Sequence, residues 1–175
     1  MPARRRSLGA SWKLIEHDHL VAQVRYDPAS GLFWWRVPSV GRRMRKPMGG
    51  LATNGYWRIN IGYDRYLAHR LAWFYVHGIW PCKDIDHING DRCDNRISNL
   101  RLADKWQNNG NSEAYCTSST GLKGIYWDRQ LGRYSARIMV NGKRKYLGAF
   151  DTPELAHEAY READIALRGE FARTA

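Results

Sequence analysis

The amino-acid sequence predicts an α+β protein built as two modules, each combining short antiparallel strands with helix. Three observations lead there. Asn-Gly pairs at 54–55 and 141–142 adjoin alternating apolar and polar residues, and such pairs suit hairpin turns whose central residues need positive φ. Residues 66–77 and 155–167 carry apolar side chains at helical spacing. Between the two patterned regions, 112–120 (SEAYCTSST) is small and polar and reads as a linker.

Taken in order, residues 1–16 form a basic tail, and Asp18–Val24 predicts a short helix that stops near Asp27-Pro28. Leu32–Arg36 (LFWWR) follows as a strand. Five cations, Arg36, Arg42, Arg43, Arg45 and Lys46, then occur without an acid in a stretch punctuated by Pro38 and Gly41, as expected of a loop that seeks phosphate. The turn at Asn54-Gly55 is expected between strands, the second being YWRINIGY, which closes a β-rich leader over 17–66. Tyr66–His77 predicts a well-buried helix that Gly78 and Pro81 stop. His69 on this helix reads as a hydrogen-bonded core histidine, and Trp34, Trp35, Trp73 and Trp80 as packing residues.

In the second module, over 121–172, Tyr134, Ala136, Ile138 and Val140 alternate with polar residues, and Asn141-Gly142 leads into a partner strand over 143–150. Thr152-Pro153 offers a cap and a proline for a helix whose inner face is expected to hold Leu155, Ala156, Ala159, Tyr160, Ala163 and Leu167. Cations concentrate on the strands and acids on the helix, so the sheet is expected to meet an anion with the helix behind it.

Bulk properties agree. The 175 residues hold 28 Lys and Arg against 17 Asp and Glu, a net charge of +11, which favours a polyanionic partner. Eight Trp and ten Tyr exclude a merely disordered basic chain. No apolar run reaches membrane-spanning length and no signal core is visible, so a cytoplasmic location is expected. Cys82, Cys93 and Cys116 contain no C-x-x-C pair and read as reduced thiols, neither a disulfide framework nor a zinc knuckle.

The chemistry lies in DIDHINGDRCDNRISNLRLADKWQNNGN, residues 84–111, which lacks the periodicity of core. Asp86 and His87 adjoin, with Asn95, Asn99, Asn108, Asn109 and Asn111 downstream. A carboxylate with a neutral amide oxygen makes a hard, incomplete cage suited to Mg²⁺ or Mn²⁺, and a neighbouring histidine can accept a proton from water near neutral pH.

This segment resembles the HNH endonuclease motif in its asparagine-rich phage and intron homing form. YLAHRLAWFYVHGIWP, YDPASGLFWWR and NGYWRINI extend the likeness over most of 17–111. The resemblance implies a ββα-metal core over 67–111, with Asp86 a metal ligand, His87 the general base, Asn99 orienting the His87 ring and Asn108 completing the metal site, for which Asn109 and Asn111 are rivals. It also implies Mg²⁺- or Mn²⁺-dependent hydrolysis of double-stranded DNA by a monomer or homodimer, leaving 5′-phosphate and 3′-hydroxyl ends.

The run GIYWDRQLGRYSARIMVNGKRKYLGAFDTPELAHEAYREADIALRGEFA resembles an AP2 DNA-binding domain, a three-stranded antiparallel sheet on one helix. Carried over by position, Lys123, Tyr126, Arg133, Arg137, Arg144 and Tyr146 would touch DNA, joined by Arg42, Arg43, Arg45 and Lys46 of the basic loop, while Asp128 departs from the family's preference for cations. The competing reading is a sequence-specific DNA-binding regulator with a vestigial nuclease site.

Overall fold

The computed structural model describes residues 15–111, 120–140 and 142–172. Most of the basic tail and nearly all of the linker lie outside these residues, as does Cys116; Cys82 and Cys93 are free thiols.

The leader opens with helix α1, His17–Gln23, which buries Leu20 and ends where Val24 turns extended. Strand β1, Val24–Asp27, follows at once and pairs antiparallel with β2, Leu32–Trp35. The sequence reading expected no strand at β1, because four residues are too few to show a period; Val24 and Tyr26 turn inward only because β2 lies alongside. The turn between them carries Gly31 at φ 72°, where a Cβ would lie 2.5 Å from the backbone of Asn95 and Arg96. Glycine therefore lets this hairpin press on the loop that follows the Asp-His pair.

The hairpin expected at Asn54-Gly55 joins β3, Gly50–Leu51, to β4, Trp57–Ile61, and β5, Asp64–Leu67, completes the order β3-β4-β5. Tyr66 and Leu67 thus end a strand instead of beginning a helix, since pairing of Tyr66 with Ile59 and Leu67 with Arg58 overrides local helix propensity. Helix α2 runs over Ala68–His77 and stops at Gly78 in the left-handed conformation. It buries Ala68, His69, Leu71, Ala72 and Phe74 against Leu20, Phe33, Ile59, Ile85 and Leu100, so leader and motif share one core.

Strands β6, Asp84–His87, and β7, Leu100–Ala103, pair antiparallel with Asp86 opposite Arg101. Helix α3, Lys105–Gly110, starts on a reciprocal cap: the Asp104 carboxylate accepts from Gln107 N at 2.8 Å, and Gln107 Oε1 accepts from Asp104 N at 2.8 Å.

The second module has strands β8, Ile125–Asp128, β9, Arg133–Val140, and β10, Lys143–Phe150, in the order β10-β9-β8, with helix α4, Pro153–Arg168, behind them. This is the expected architecture. Thr152 caps α4 through Leu155 N, with proline in the first turn as expected. The inner face of α4 differs from expectation: Leu155 and Leu167 are exposed, and the buried series runs Ala156, Tyr160, Asp164, Arg168 at four-residue steps. Two charged residues are inside because they pair with each other. Ile125, Ala136 and Ile138 complete a small separate core.

Candidate active site

Strand β6 delivers Asp86 and His87 side by side at its end, both buried at 3% and 5% exposure. Burial of two polar side chains at a strand end is costly unless partners satisfy them, and the following loop is built to supply partners. Asn89 and Gly90 reverse the chain, with Gly90 N donating to the His87 carbonyl at 2.8 Å. Side-chain carboxylates and amides then cap successive backbone groups: Asp91 N to Asn89 Oδ1, Cys93 N to Asp91 Oδ1, Arg96 N to Asp94 Oδ1. Much of the Asn and Asp in this segment is therefore turn chemistry. Arg96 beside it holds the Asp94 carboxyl down at about 2.

Asn99, at the end of a 3-10 turn over Ile97–Asn99, directs its amide into this loop. Its Oδ1 accepts from Asn89 N at 3.0 Å, and its Nδ2 donates to Asn89 Oδ1 at 3.0 Å and to the Asp94 carbonyl at 2.9 Å. The resemblance gave Asn99 the orienting of the His87 ring; its hydrogen-bonding groups go instead to the loop. The Asn95 side chain bears on the imidazole and favours the charged ring, though less than burial opposes it. Asn95 Oδ1 and His87 Nε2 are both buried, and neither completes a well-formed hydrogen bond. Asn95 is itself fixed by its Nδ2, which donates to the Cys93 carbonyl, and by Tyr26 Oη, which donates to the Asn95 backbone carbonyl at 2.7 Å.

Burial is the dominant influence on His87 and holds its pKa below the ordinary histidine value, so the ring is neutral at neutral pH. Against it stands His69, whose ring centroid lies 5.1 Å away in an edge-on contact, with Tyr56 5.1 Å from His69 and 6.0 Å from His87. His69 is a core histidine, as expected, but the core it belongs to is the wall of the site, and its Nδ1 lacks the hydrogen bond that was expected. Burial, with His87 and Arg70 nearby, lowers its pKa to about 3.

This has a measurable consequence. Between pH 6.5 and 3 the unfolded chain binds a proton at His69 that the folded chain does not, so stability is full above the unfolded value and declines as pH falls. The expected loss from His69 alone approaches about 1.4 kcal/mol per pH unit below about pH 6. Urea unfolding at pH 7.0 and 5.0, with and without His69→Phe, measures it; equal pH slopes for the two proteins would refute the assignment.

Asp86 is held on both oxygens. Arg101 Nε and Nη2 reach Oδ2 at 2.8 Å, and Asn111 Nδ2 donates to Oδ1 at 3.0 Å. The same Nδ2 lies 2.6 Å from the His87 carbonyl and 3.4 Å from that of Ile88. Three oxygens thus converge where a positive dipole sits, which is donor chemistry suited to a hard cation. Among the described residues no group of three or more His, Cys, Asp or Glu could hold a metal. Asn108 stands on α3, half-buried, its side chain in no hydrogen bond among the described residues; Asn109 is exposed.

The expected DNA contacts divide. Cross-strand pairs Tyr126–Ser135, Asp128–Arg133, Met139–Arg144 and Arg137–Tyr146 share the sheet face opposite α4, so Tyr126, Arg133, Arg137, Arg144 and Tyr146 stand together. Asp128 lies among them, 3.7 Å from Arg137. Lys123 is engaged elsewhere, because its Nζ donates to the Asn109 and Gly110 carbonyls at 2.8 and 2.6 Å, at the C-terminal end of α3. In the basic loop Arg43, Arg45 and Lys46 are exposed. Arg42 folds back over Trp35, 4.1 Å from its ring centre, and donates to Gln23 and the Val37 carbonyl, while Arg36 donates to the Val24 carbonyl and Tyr75.

From the sequence Asn95 stands only among the downstream asparagines, without a role, and Arg101 and Phe171 are not singled out. The alternation of β7 puts Arg101 opposite Asp86 once the two strands are paired, a signal available only with the register in hand.

Comparison with known proteins agrees with this geometry. The HNH endonuclease family model matches residues 66–109, from β5 into α3. Protein 3.8 of Escherichia phage T7 is 32% identical over 89 residues, which span 51% of this chain and 73% of that protein. The C-terminal module is 41% identical over 51 residues to APETALA2-like protein 2 of Oryza sativa subsp. indica, and 38% identical over 53 residues to the AP2-like ethylene-responsive transcription factor TOE2 of Arabidopsis thaliana. These matches span 29% and 30% of this chain but only 12% and 11% of the plant factors. Among the described residues no helix is long and apolar enough to cross a membrane. The chain is a homologue of phage T7 protein 3.8 and belongs to the HNH endonuclease family, with a C-terminal region similar to the AP2 domains of plant factors.

Proposed function

We propose that this protein hydrolyses phosphodiester bonds in double-stranded DNA as a phage homing-type endonuclease. The observation that carries the reading is a buried, neutral His87 beside a buried Asp86 at the end of a strand that pairs with a second strand leading to a helix. His87 Nε2 is sealed, which leaves Nδ1 to take a proton from water. The water oxygen attacks phosphorus, the P–O3′ bond breaks, and the 3′-oxygen leaves as an alkoxide that solvent protonates; the products carry 5′-phosphate and 3′-hydroxyl ends. Asp86 and Asn108 would hold Mg²⁺ or Mn²⁺, which when bound stabilises negative charge on the phosphate oxygens. Asn111 turns N–H groups towards Asp86, His87 and Ile88, and a donor in that place orients the carboxylate instead of ligating a cation.

The sheet face that carries Tyr126, Arg133, Arg137, Arg144 and Tyr146 would lie on duplex DNA, with Arg43, Arg45 and Lys46 on the phosphates. Arg133 is 3.0 Å from Asp151 in an exposed pair that DNA can readily replace. Supercoiled plasmid incubated with Mg²⁺ should yield nicked or linear product, EDTA should stop it, and binding in EDTA should weaken steeply with salt as neutralised phosphates release counterions. Tight, salt-sensitive binding without cutting in Mg²⁺ or Mn²⁺ would favour the regulator reading instead.

A further inference from the structure

Arg101 touches both modules. Two of its nitrogens hold Asp86 Oδ2, its Nη1 donates to the Glu170 carbonyl at 2.6 Å, and its guanidinium lies 3.9 Å from the centre of the Phe171 ring. Glu170 and Phe171 belong to the 3-10 turn Gly169–Phe171 that follows α4 of the C-terminal module. The ion pair is largely buried, with side chains 14% and 5% exposed, and a fork fixed at three points holds Asp86 Oδ2 in place.

The turn is itself fastened to the nuclease core. A Cβ at Gly110 would lie 2.4 Å from Arg168 Cδ and 2.9 Å from the Phe171 carbonyl oxygen, so the end of α3 and the end of α4 approach as closely as glycine permits. β9 runs on past its β8 partner, and the exposed carbonyl of Met139 there accepts from Trp106 Nε1 of α3 at 3.1 Å and from Arg168 at 3.3 Å. Arg168 also lies 4.8 Å over the Trp106 ring.

We infer that the AP2-like module sets the geometry of the metal-binding carboxylate: the Gly169–Phe171 turn holds Arg101, and Arg101 holds Asp86. The inference rests on the nuclease reading of Asp86. Arg101 and Phe171 are positioning residues, and the C-terminal module is a structural half of the site as well as a reader of DNA. A partner group that orients a metal ligand commonly contributes about 10–100-fold to metal affinity.

The test measures Mn²⁺ binding by EPR on the full chain with a phosphorothioate duplex that resists cutting, for the parent, Asp86→Ala, Phe171→Ala, Phe171→Tyr and Arg101→Lys. Phe171→Ala and Arg101→Lys are expected to bind Mn²⁺ about tenfold more weakly, with DNA affinity in EDTA within about twofold of the parent and Phe171→Tyr restored. Parent-like Mn²⁺ affinity in Phe171→Ala would overturn the coupling alone. Should Phe171→Ala not fold, Arg101→Lys decides: it keeps the charge but cannot bridge Asp86 and Glu170, and parent-like binding there overturns the inference. A parent no different from Asp86→Ala would overturn the nuclease reading, and the coupling with it.

Discussion

His87→Ala should lower plasmid cleavage in Mg²⁺ by about 10²–10⁴-fold, the usual contribution of a positioned general base. DNA affinity should stay near that of the parent, because the ring is buried at 5% exposure and the exposed cations proposed to meet phosphate lie elsewhere. The environment of His87 also sets the sign of the pH dependence. Burial lowers its pKa, the neutral ring is the active form, and protonation removes it. Cleavage should therefore be flat through neutral pH and fall only as pH drops below the ordinary histidine range. A variant that cuts at the parent rate, or a rate that falls on passing from pH 8 to 7, would remove His87 from the role of base.

Asp164→Ala should be the most damaging single change to the C-terminal module. Asp164 and Arg168 pair inside it with side chains 2% and 3% exposed, and Arg168 Nε already has no partner. Without the carboxylate a guanidinium remains buried against the Met139 carbonyl and the Trp106 ring, and stranding such a charge costs about 3–5 kcal/mol. Against a total stability of about 5–15 kcal/mol for a typical domain that is a large share. Asp151→Ala provides the contrast: its pair with Arg133 is 74% and 54% exposed, and its loss should cost at most about 1 kcal/mol. Urea midpoints of the two variants decide; equal midpoints would show that the buried pair contributes no more than the surface one. Since Arg168 also joins α4 to α3, the larger loss should reach the HNH core.

Asp86-His87 was legible because the chemistry needs two residue types adjacent in the chain, and adjacency is what a sequence displays. The outward face of the C-terminal sheet was legible in part: alternation over 134–140 sets Arg137 opposite Ala136 and Ile138, while Tyr126, Arg144 and Tyr146 followed from the AP2 resemblance. The length of α4 and its start at Thr152-Pro153 follow from local capping chemistry. The stripe it buries does not, because burial depends on which side the sheet takes, and here Asp164 and Arg168 went inside as a pair while Leu155 and Leu167 stayed out.

What the sequence by itself determined is therefore the local and periodic part: the α+β class, the acid–histidine pair, the turn at Asn54-Gly55, the stop of α2 at Gly78, the start of α4 at Thr152-Pro153 and the cationic sheet. Tertiary structure decided how these are joined. It made β1 a strand by giving it β2, put His69 and Asn95 beside His87, turned the Asn99 amide into the loop, spent Arg42 and Lys123 on packing, and brought Arg101 between Asp86 and Phe171. The physical reason is common to these cases. Each depends on contacts that no local pattern displays, from the ten positions between Asn89 and Asn99 to the 69 between Arg101 and Glu170, and the longest of them form only when the two modules pack together.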